Sequence, residues 1–198
     1  LDRPDIQLHL VNAVMQDHAR VKPDRDGFTV HACQLRPQSR GTVKLASRNP
    51  FDAPLIDPHY LSEEVDRRTM RDSVRIVRDI VAQSALDLYR GAEFKPGAHI
   101  RTDSEIDAWI RQSAETIYHP VGTVRMGADD KAPVDGELRV RGVDKLRVID
   151  ASVMPTLVGG NTNAPTIMIA EKLADILRGK PLLAPLDAPI AEDERVAV

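Results

Sequence analysis

The amino-acid sequence predicts an α+β fold, in which strands come first, helices follow, and a strand–loop–helix unit comes near the end. Three observations support this prediction. Apolar and polar residues alternate over residues 6–11, the pattern of a half-buried strand. Apolar residues recur every three or four positions over residues 70–81, the pattern of one helix face. A Gly-Gly-Asn-Thr-Asn loop at residues 159–163 separates an apolar run from a second helical pattern.

The first third of the chain contains the predicted strands. Two further runs, residues 28–35 and 42–45, follow turn signals that end in Gly27 and Gly41. Three prolines then make residues 49–59 an extended and irregular connection.

Two packing helices are predicted in the middle of the chain. Ser62 is the expected N-cap of the first helix, because serine caps helices well and two glutamates follow it in the first turn. The second helix begins near residues 103–104. The side chains expected to face inward are Met70, Val74, Val77 and Val81 in the first helix and Ile106, Trp109 and Ile110 in the second.

The last unit begins with residues 146–150, a short apolar strand that stops at an aspartate. A helix follows the glycine-rich loop over about residues 165–178, and a glycine and a proline end it in the usual order. Residues 181–198 are rich in proline, alanine and acidic residues, which predicts an extended tail. The predicted buried stripe of the helix consists of Ile167, Ala170, Leu173, Ala174 and Leu177.

Composition narrows the class of protein. The chain has 198 residues and a formal net charge of -3, so no basic face for nucleic acid is expected. Cys33 is its single cysteine, which excludes an intrachain disulfide and favours a reducing, cytoplasmic location. No run of 18 apolar residues occurs, so we expect no transmembrane segment. The chain begins with Leu1 and opens almost directly into a strand, from which we expect a piece of a longer protein.

His119 is the first candidate for chemistry. Pro120 disfavours the α conformation at His119, and Gly122 and Gly127 permit sharp turns nearby. The histidine should therefore lie on a rigid, non-helical corner that suits a catalytic base. The alternative is a structural histidine hydrogen-bonded in a turn, and an isolated His-Pro pair favours that alternative.

The loop at residues 159–163 is the second candidate. Backbone N–H groups at a helix start are unpaired and favour electron-rich ligands. Gly159 and Gly160 remove side chains from the approach, and Asn161 supplies both a donor and an acceptor. The alternative is a capped helix with Asn163 as N-cap, which leaves the two glycines and Asn161 unexplained.

Three segments together resemble the C-terminal region of the glucose–methanol–choline (GMC) oxidoreductases, in particular the choline dehydrogenase-like alcohol dehydrogenases. Shorter matches precede them at residues 35–43 and 54–58, and the resemblance runs in consistent order from about residue 1 to residue 180. The segments are Tyr-His-Pro-Val-Gly-Thr-Val-Arg-Met-Gly (118–127), Leu-Arg-Val-Ile-Asp-Ala-Ser-Val-Met-Pro (146–155) and Gly-Gly-Asn-Thr-Asn-Ala-Pro-Thr-Ile-Met-Ile-Ala-Glu-Lys (159–172).

This resemblance implies an FAD-dependent oxidation of an alcohol, with hydride transfer to flavin N5 and no metal. It implies that His119 is the catalytic base and that its partner is Asn161 rather than Asn163. A neutral imidazole suits proton removal, and an amide suits the developing charge on oxygen. The residues that the resemblance places near the flavin are Asp150, Ala151, Asn161, Thr162, Asn163 and Thr166.

The resemblance also implies a division of the chain. Residues 1–136 correspond to a substrate-binding domain with an antiparallel sheet flanked by helices, residues 137–180 to a strand and helix that complete the FAD-binding domain, and residues 181–198 to a tail. The Gly-x-Gly-x-x-Gly fingerprint of the nucleotide site is absent. We therefore expect an N-terminal FAD-binding half of the same protein as partner, and a fragment that is inactive by itself.

Other interpretations stay open from the sequence. A lyase without redox chemistry, such as a hydroxynitrile lyase, could use the same scaffold and histidine, and a fragment could fold alone and bind only a partner. Choline, a simple primary alcohol and an aromatic or polymeric alcohol are all candidate substrates. A membrane quinone pool as electron acceptor would place a cytoplasmic protein at the membrane periphery.

Overall fold

A computed structural model describes residues 3–17, 20–21, 23–181 and 183–184, so the predicted tail lies almost wholly outside the described residues. Within them the fold is α+β, as the sequence predicts, but the strands form two separate antiparallel pairs instead of one sheet. The strands are β1 (Ile6–Val11), β2 (Thr29–Gln34), β3 (Thr42–Lys44) and β4 (Leu55–Asp57), and the helices are α1 (Glu64–Val81), α2 (Asp103–Ser113) and α3 (Asn163–Leu177), with 3-10 turns at Ser84–Leu86 and Ala151–Val153.

The β1–β2 pair has two chemically different faces. Residues directly opposite each other in a ladder point to the same side of the sheet. Gln7 and Cys33 are such a pair, and they share their face with the pair His9 and His31. The opposite face carries Gln34, whose amide donates a hydrogen bond to a carboxylate of α1. Helix α1 therefore covers this second face, and the first face is left for the functional site.

The β3–β4 pair corrects the prediction for residues 49–59. Residues 55–57 form a strand opposite Thr42–Lys44, because the extended backbone that flanking prolines impose is compatible with strand pairing. Gly41 lies against the backbone carbonyl of Asp57, where no Cβ atom would fit.

Helix α1 begins at Glu64 with Glu63 as N-cap, so the prediction of Ser62 as N-cap is wrong. The backbone N–H of Glu63 donates to Ser39 Oγ at 3.2 Å, so a residue of the loop after β2 serves the helix start from outside the helix. The predicted inward face is only half-buried. The buried residues of α1 are polar or charged and consist of Asp66, Thr69, Arg71 and Ser73.

Helix α2 begins where the sequence predicts. Thr102 and Glu105 form a reciprocal capping box at its N-terminus. Ile106 and Ile110 are buried and Trp109 is half-buried, which confirms the inward face.

The C-terminal part folds around a cluster of four buried residues, Val134, Leu138, Val153 and Leu173. Val148 and Ile149 pack against this cluster, but residues 146–150 form no strand. Among the described residues, the segment has only an isolated bridge at Arg147 to pair with, so the predicted strand lacks a ladder.

Helix α3 begins two residues before its predicted start, and its apolar stripe is only partly buried. Leu173 is 6% exposed, whereas Ile167 and Leu177 are 54% and 55% exposed. Met168 and Leu146 are also exposed. An apolar surface thus lies on and beside α3.

Candidate active site

His119 lies on a non-helical corner after α2, as the sequence predicts. The corner is tightly turned, since Tyr118 has a φ of 63° and Gly122 a φ of 88°. A Cβ atom at Gly122 would lie 3.3 Å from the carbonyl oxygen of Met154, so the two segments are in close contact. The backbone N–H groups of Val124 and Met126 donate to carbonyl groups of the 3-10 turn Ala151–Val153. This pairing holds the histidine corner on the C-terminal core.

Asn161 lies in the loop immediately before α3. Gly159 has a φ of 81°, and the guanidinium group of Arg36 fills the space where a Cβ atom would stand. Thr162 is buried and is the N-cap of α3, so Asn163 is the first residue of the helix and not its cap. The loop is therefore fixed on one side by Arg36 and on the other by a buried threonine.

The two predicted catalytic side chains meet, although 42 positions separate them. Asn161 Nδ2 lies 3.3 Å from His119 Nε2. This contact confirms that the two side chains converge, and it is made by Asn161, as the resemblance implies. The catalytic roles of the two residues stay predictions.

The sequence interpretation missed a group of side chains that approaches this pair from the sheet. Gln7 Nε2 donates to Asn161 Oδ1 at 3.3 Å. Behind Gln7, Cys33 Sγ lies 4.0 Å from Gln7 Oε1 and 3.7 Å from His9 Nε2. The sequence contains one signal for this group, since the polar positions in residues 6–11 carry side chains with functional groups. The structure shows that these side chains are half-buried.

Two of the residues predicted to lie near the flavin, Asp150 and Thr166, have side chains that already make local hydrogen bonds. Asp150 accepts hydrogen bonds from the backbone N–H and hydroxyl of Ser152 and so caps the 3-10 turn that contains Ala151. The hydroxyl of Thr166 donates to the carbonyl oxygen of Thr162 at 2.6 Å, so this hydroxyl retains only acceptor capacity for a ligand.

The start of α3 is open to a ligand. The side chain of Thr162 makes no capping hydrogen bond, so it accepts none from the first backbone N–H groups of the helix. Asn163 is exposed, and a Cβ atom at Gly160 would meet no other atom within 4 Å. Donors and open space of this kind suit an electron-rich group.

The positive charge in the histidine segment is already paired. Arg125 forms two hydrogen bonds of 2.8 Å with the carboxylate of Asp129. These bonds lower the pKa of Asp129 to about 2. Arg125 therefore has a local structural partner. In the described part of the chain, no group of three or more side chains is arranged to hold a metal ion.

Comparison with known proteins identifies the family. The family model for "GMC oxidoreductase" matches residues 37–170, which include both His119 and Asn161. This chain belongs to the GMC oxidoreductase family. The match covers more than half of the chain, and the residues that carry the resemblance in the sequence lie within it or directly beside it.

Relatives agree with this assignment. Mitochondrial choline dehydrogenase from Homo sapiens is 48% identical over 196 residues, which are 98% of this chain and 33% of the relative. Alcohol dehydrogenase [acceptor] from Pseudomonas putida is 50% identical over 189 residues, or 96% of this chain and 34% of the relative. The chain thus spans about a third of the length of these relatives.

Solved structures show the same fold. Pyridoxine 4-oxidase from Mesorbium loti superposes with a TM-score of 0.83 at 32% identity, covering 91% of this chain and 35% of the other. A crystal structure of formate oxidase gives a TM-score of 0.84 at 28% identity, covering 90% and 32%. None of the helices in the described ranges is long and apolar enough to cross a membrane.

Proposed function

We propose that this chain supplies the catalytic pair of an FAD-dependent enzyme that oxidises an alcohol to a carbonyl compound. The observation that carries the proposal is the contact between His119 Nε2 and Asn161 Nδ2 at 3.3 Å. Two polar groups so close together can hold one substrate oxygen between them. The named relatives include choline and alcohol dehydrogenases, which supports an alcohol as the substrate class.

His119 and Asn161 have different roles at the hydroxyl group of the substrate. His119 accepts the hydroxyl proton at Nε2, the nitrogen that faces Asn161. Asn161 donates from Nδ2 to the substrate oxygen as negative charge develops there, and an amide cannot compete for the proton. Bound FAD would supply the hydride acceptor for the alcohol carbon. Loss of one proton and one hydride converts the alcohol to the carbonyl product.

The residues near the start of α3 fit a flavin. The open helix start at Asn163 and the bare backbone of Gly160 offer donors and space to an electron-rich ring. We assign the flavin contacts to Asp150, Ala151, Asn161, Thr162, Asn163 and Thr166. The exposed apolar surface of α3 gives this assignment a second support, because an FAD-binding half would cover it.

The same reasoning supports a division of labour along the chain. We assign residues 1–136 to the substrate-binding part and residues 137–180 to the part that packs on an N-terminal FAD-binding half. Val134 and Leu138, one on each side of this boundary, belong to one buried cluster, so the two parts fold against each other. We place the enzyme in the cytoplasm; contact with the membrane would follow only if a membrane quinone pool, and not oxygen, is its electron acceptor.

Substitution of His119 by glutamine in the complete flavoprotein tests the proposal. Turnover of a primary alcohol should fall by about 10²- to 10⁴-fold, because a general base is lost. The flavin absorbance should persist, since the imidazole acts on the substrate. The matched control is His99→Gln, which changes an exposed histidine. A near-normal rate for His119→Gln, or loss of the flavin with the activity, would show that the histidine is structural.

Three further measurements separate the rival interpretations. Bleaching of the bound flavin by added alcohol under anaerobic conditions supports the redox reaction, and an unchanged spectrum with carbon–carbon cleavage supports a lyase. Expression of residues 1–198 with and without the N-terminal half tests the need for that half. A stable, flavin-loaded monomer from residues 1–198 alone would contradict it. Choline and a series of uncharged primary alcohols should be compared as substrates.

A further inference from the structure

We propose that Gln7 is a positioning residue that fixes the orientation of the Asn161 amide and, through it, the hydrogen-bonding form of His119. This inference rests on the proposed function, because it concerns the form in which the base receives a proton. Gln7 lies on β1, far along the chain from both residues, and it contacts Asn161 directly.

The contacts form a series with a single direction. Gln7 Nε2 donates to Asn161 Oδ1, and Asn161 Nδ2 faces His119 Nε2, both at 3.3 Å. An amide has a donor end and an acceptor end, so it can satisfy these two neighbours in one orientation only. Rotation of the Asn161 amide by 180° would bring its NH2 group against the NH2 group of Gln7. Two donors would then face each other and one hydrogen bond would be lost.

Cys33 and His9 keep the Gln7 amide from turning in the same way. Cys33 is the direct cross-strand neighbour of Gln7, and its thiol points to Gln7 Oε1. Burial raises the pKa of this thiol, against a smaller lowering by a backbone hydrogen bond from Gln7. The thiol therefore stays protonated near neutral pH and donates. His9 Nε2 lies 3.7 Å from the same sulfur, and the His9 tautomer that donates an N–H to the sulfur leaves the thiol proton to Gln7.

The direction of this series has a chemical consequence at His119. A hydrogen bond from Asn161 Nδ2 requires a lone pair on His119 Nε2, so it selects the tautomer with the proton on Nδ1. That tautomer can accept a proton at Nε2 once the substrate hydroxyl replaces the Asn161 N–H at this nitrogen. The reversed amide would present oxygen to Nε2 and favour a proton there, which would make this nitrogen a donor. Gln7 thus stabilises the reactive form of the base without contacting the substrate.

The test uses two variants of the complete flavoprotein that change Gln7 in different ways. Gln7→Met keeps the length of the side chain and removes the donor. Gln7→Glu replaces the donor with an acceptor, which should turn the Asn161 amide around. Gln112→Met on the exposed surface of α2 is the matched control. Flavin absorbance and thermal unfolding check that each variant folds, and Gln7→Met carries the test if the half-buried charge of Gln7→Glu prevents folding.

Kinetics provide the first measurement. We expect kcat to fall by about 10- to 100-fold in Gln7→Glu. This is the range seen when a residue that orients a metal ligand is lost, and Gln7 orients Asn161 in the same indirect way. In Gln7→Met, kcat should fall less, because this variant leaves the Asn161 amide free to take either orientation. KM should change little in both variants, since Gln7 acts through Asn161 and not on the substrate. Unchanged kcat in both variants would overturn the proposal.

Nitrogen NMR of histidine-labelled protein provides the second measurement, and it needs no turnover. The His119 signals, assigned by their loss in His119→Gln, should identify Nε2 as unprotonated in the unsubstituted protein and as protonated in Gln7→Glu. Identical signals in both proteins would overturn the inference. If His119→Gln leaves the rate intact, the proposed function is wrong. If His119→Gln lowers the rate but the Gln7 variants change neither kcat nor the His119 signals, the proposed function stands and the positioning role of Gln7 is wrong.

Discussion

Asp66 should be the polar residue on which the attachment of α1 to the β1–β2 pair depends most. Its side chain is buried, at 1% exposure. The carboxylate accepts hydrogen bonds from the amide of Gln34 at 2.7 Å and from the backbone N–H groups of Gln38 and Ser39 at 2.9 and 2.7 Å. It also accepts a bond from the hydroxyl of Ser39. Asp66→Ala removes the common acceptor of all four donors.

The loss in free energy of unfolding depends on whether each of the four donors can find another acceptor. The Gln34 amide and the Ser39 hydroxyl can rotate toward another partner, whereas the two backbone N–H groups are fixed. An unsatisfied buried donor costs about 1–3 kcal/mol. Gln38 is exposed and Ser39 half-buried, so water reaches them in part and the lower end of the range applies. Asp66→Ala should therefore lower the free energy of unfolding by about 2–3 kcal/mol.

The pH dependence of this effect has a definite sign. Burial alone would raise the pKa of Asp66, but the hydrogen bonds from Ser39, Gln38 and Gln34 outweigh it and lower the pKa. A carboxylate with a lowered folded-state pKa stabilises the protein above its unfolded-state pKa, which is about 3.9. The contribution is lost as the pH falls through the lower folded-state value. The difference between Asp66→Ala and the unsubstituted protein should be constant from about pH 5 to 8 and should shrink in acid.

Denaturant unfolding of the flavoprotein at several pH values measures this difference. Asp79→Ala, which changes an exposed aspartate of the same helix, is the matched control and should be nearly neutral. A loss below about 1 kcal/mol for Asp66→Ala would contradict the assigned cost of its unsatisfied donors. A loss that stays constant down to pH 2 would contradict the role of the ionised carboxylate.

Two further substitutions test the other supports of the fold. Gly159→Ala should cost about 1–2 kcal/mol from the positive φ alone, and its Cβ would displace Arg36, so turnover should fall more than flavin content. Gly136→Ala, with free space around it and no positive φ, is its control. Arg71→Met should lower the free energy of unfolding in urea by about 1–3 kcal/mol, because the half-buried Asp107 carboxylate of α2 loses the guanidinium of α1 that donates to it at 2.9 Å.

For each of these two predictions, one outcome would contradict it. Normal turnover in Gly159→Ala would mean that the loop before α3 tolerates a displaced Arg36 and does not position Asn161. For Arg71, the control is Arg68→Met, which changes an exposed arginine on the same helix. Equal stability of the two arginine variants would mean that the buried ion pairs contribute nothing beyond surface charge.

The sequence predicts best where local signals decide the structure. Thr102 before α2 and Glu105 in its first turn cap that helix through neighbouring backbone groups, so its start is found within one residue. Proline after His119 and glycine at Gly159 fix local backbone geometry, so the corner and the loop are also found. The convergence of His119 and Asn161 came from the family resemblance, because no local signal joins positions 42 apart.

The sequence predicts worst where distant residues decide. Ser62 has the composition of an N-cap, but the start of α1 is served by Ser39, a contact that depends on tertiary structure. Residues 146–150 have the composition of a strand, but among the described residues they find no ladder. Gln7 belongs to a strand predicted correctly, yet its role at the site follows only from the placement of Asn161 beside it.

The site is therefore an assembly of three separately supported pieces. The histidine corner is bonded to the 3-10 turn Ala151–Val153, and that turn lies over the buried cluster that includes Leu173 of α3. The asparagine loop is held by Gln7 of β1 and by Arg36 of the loop after β2. The sheet is held in turn by Asp66 of α1. A distance of 3.3 Å between two side chains thus depends on contacts in the β1–β2 pair, the loop after β2, α1 and the C-terminal core. Because reacting groups must be placed within a fraction of an ångström, substitutions at these remote supports should lower turnover before they unfold the protein.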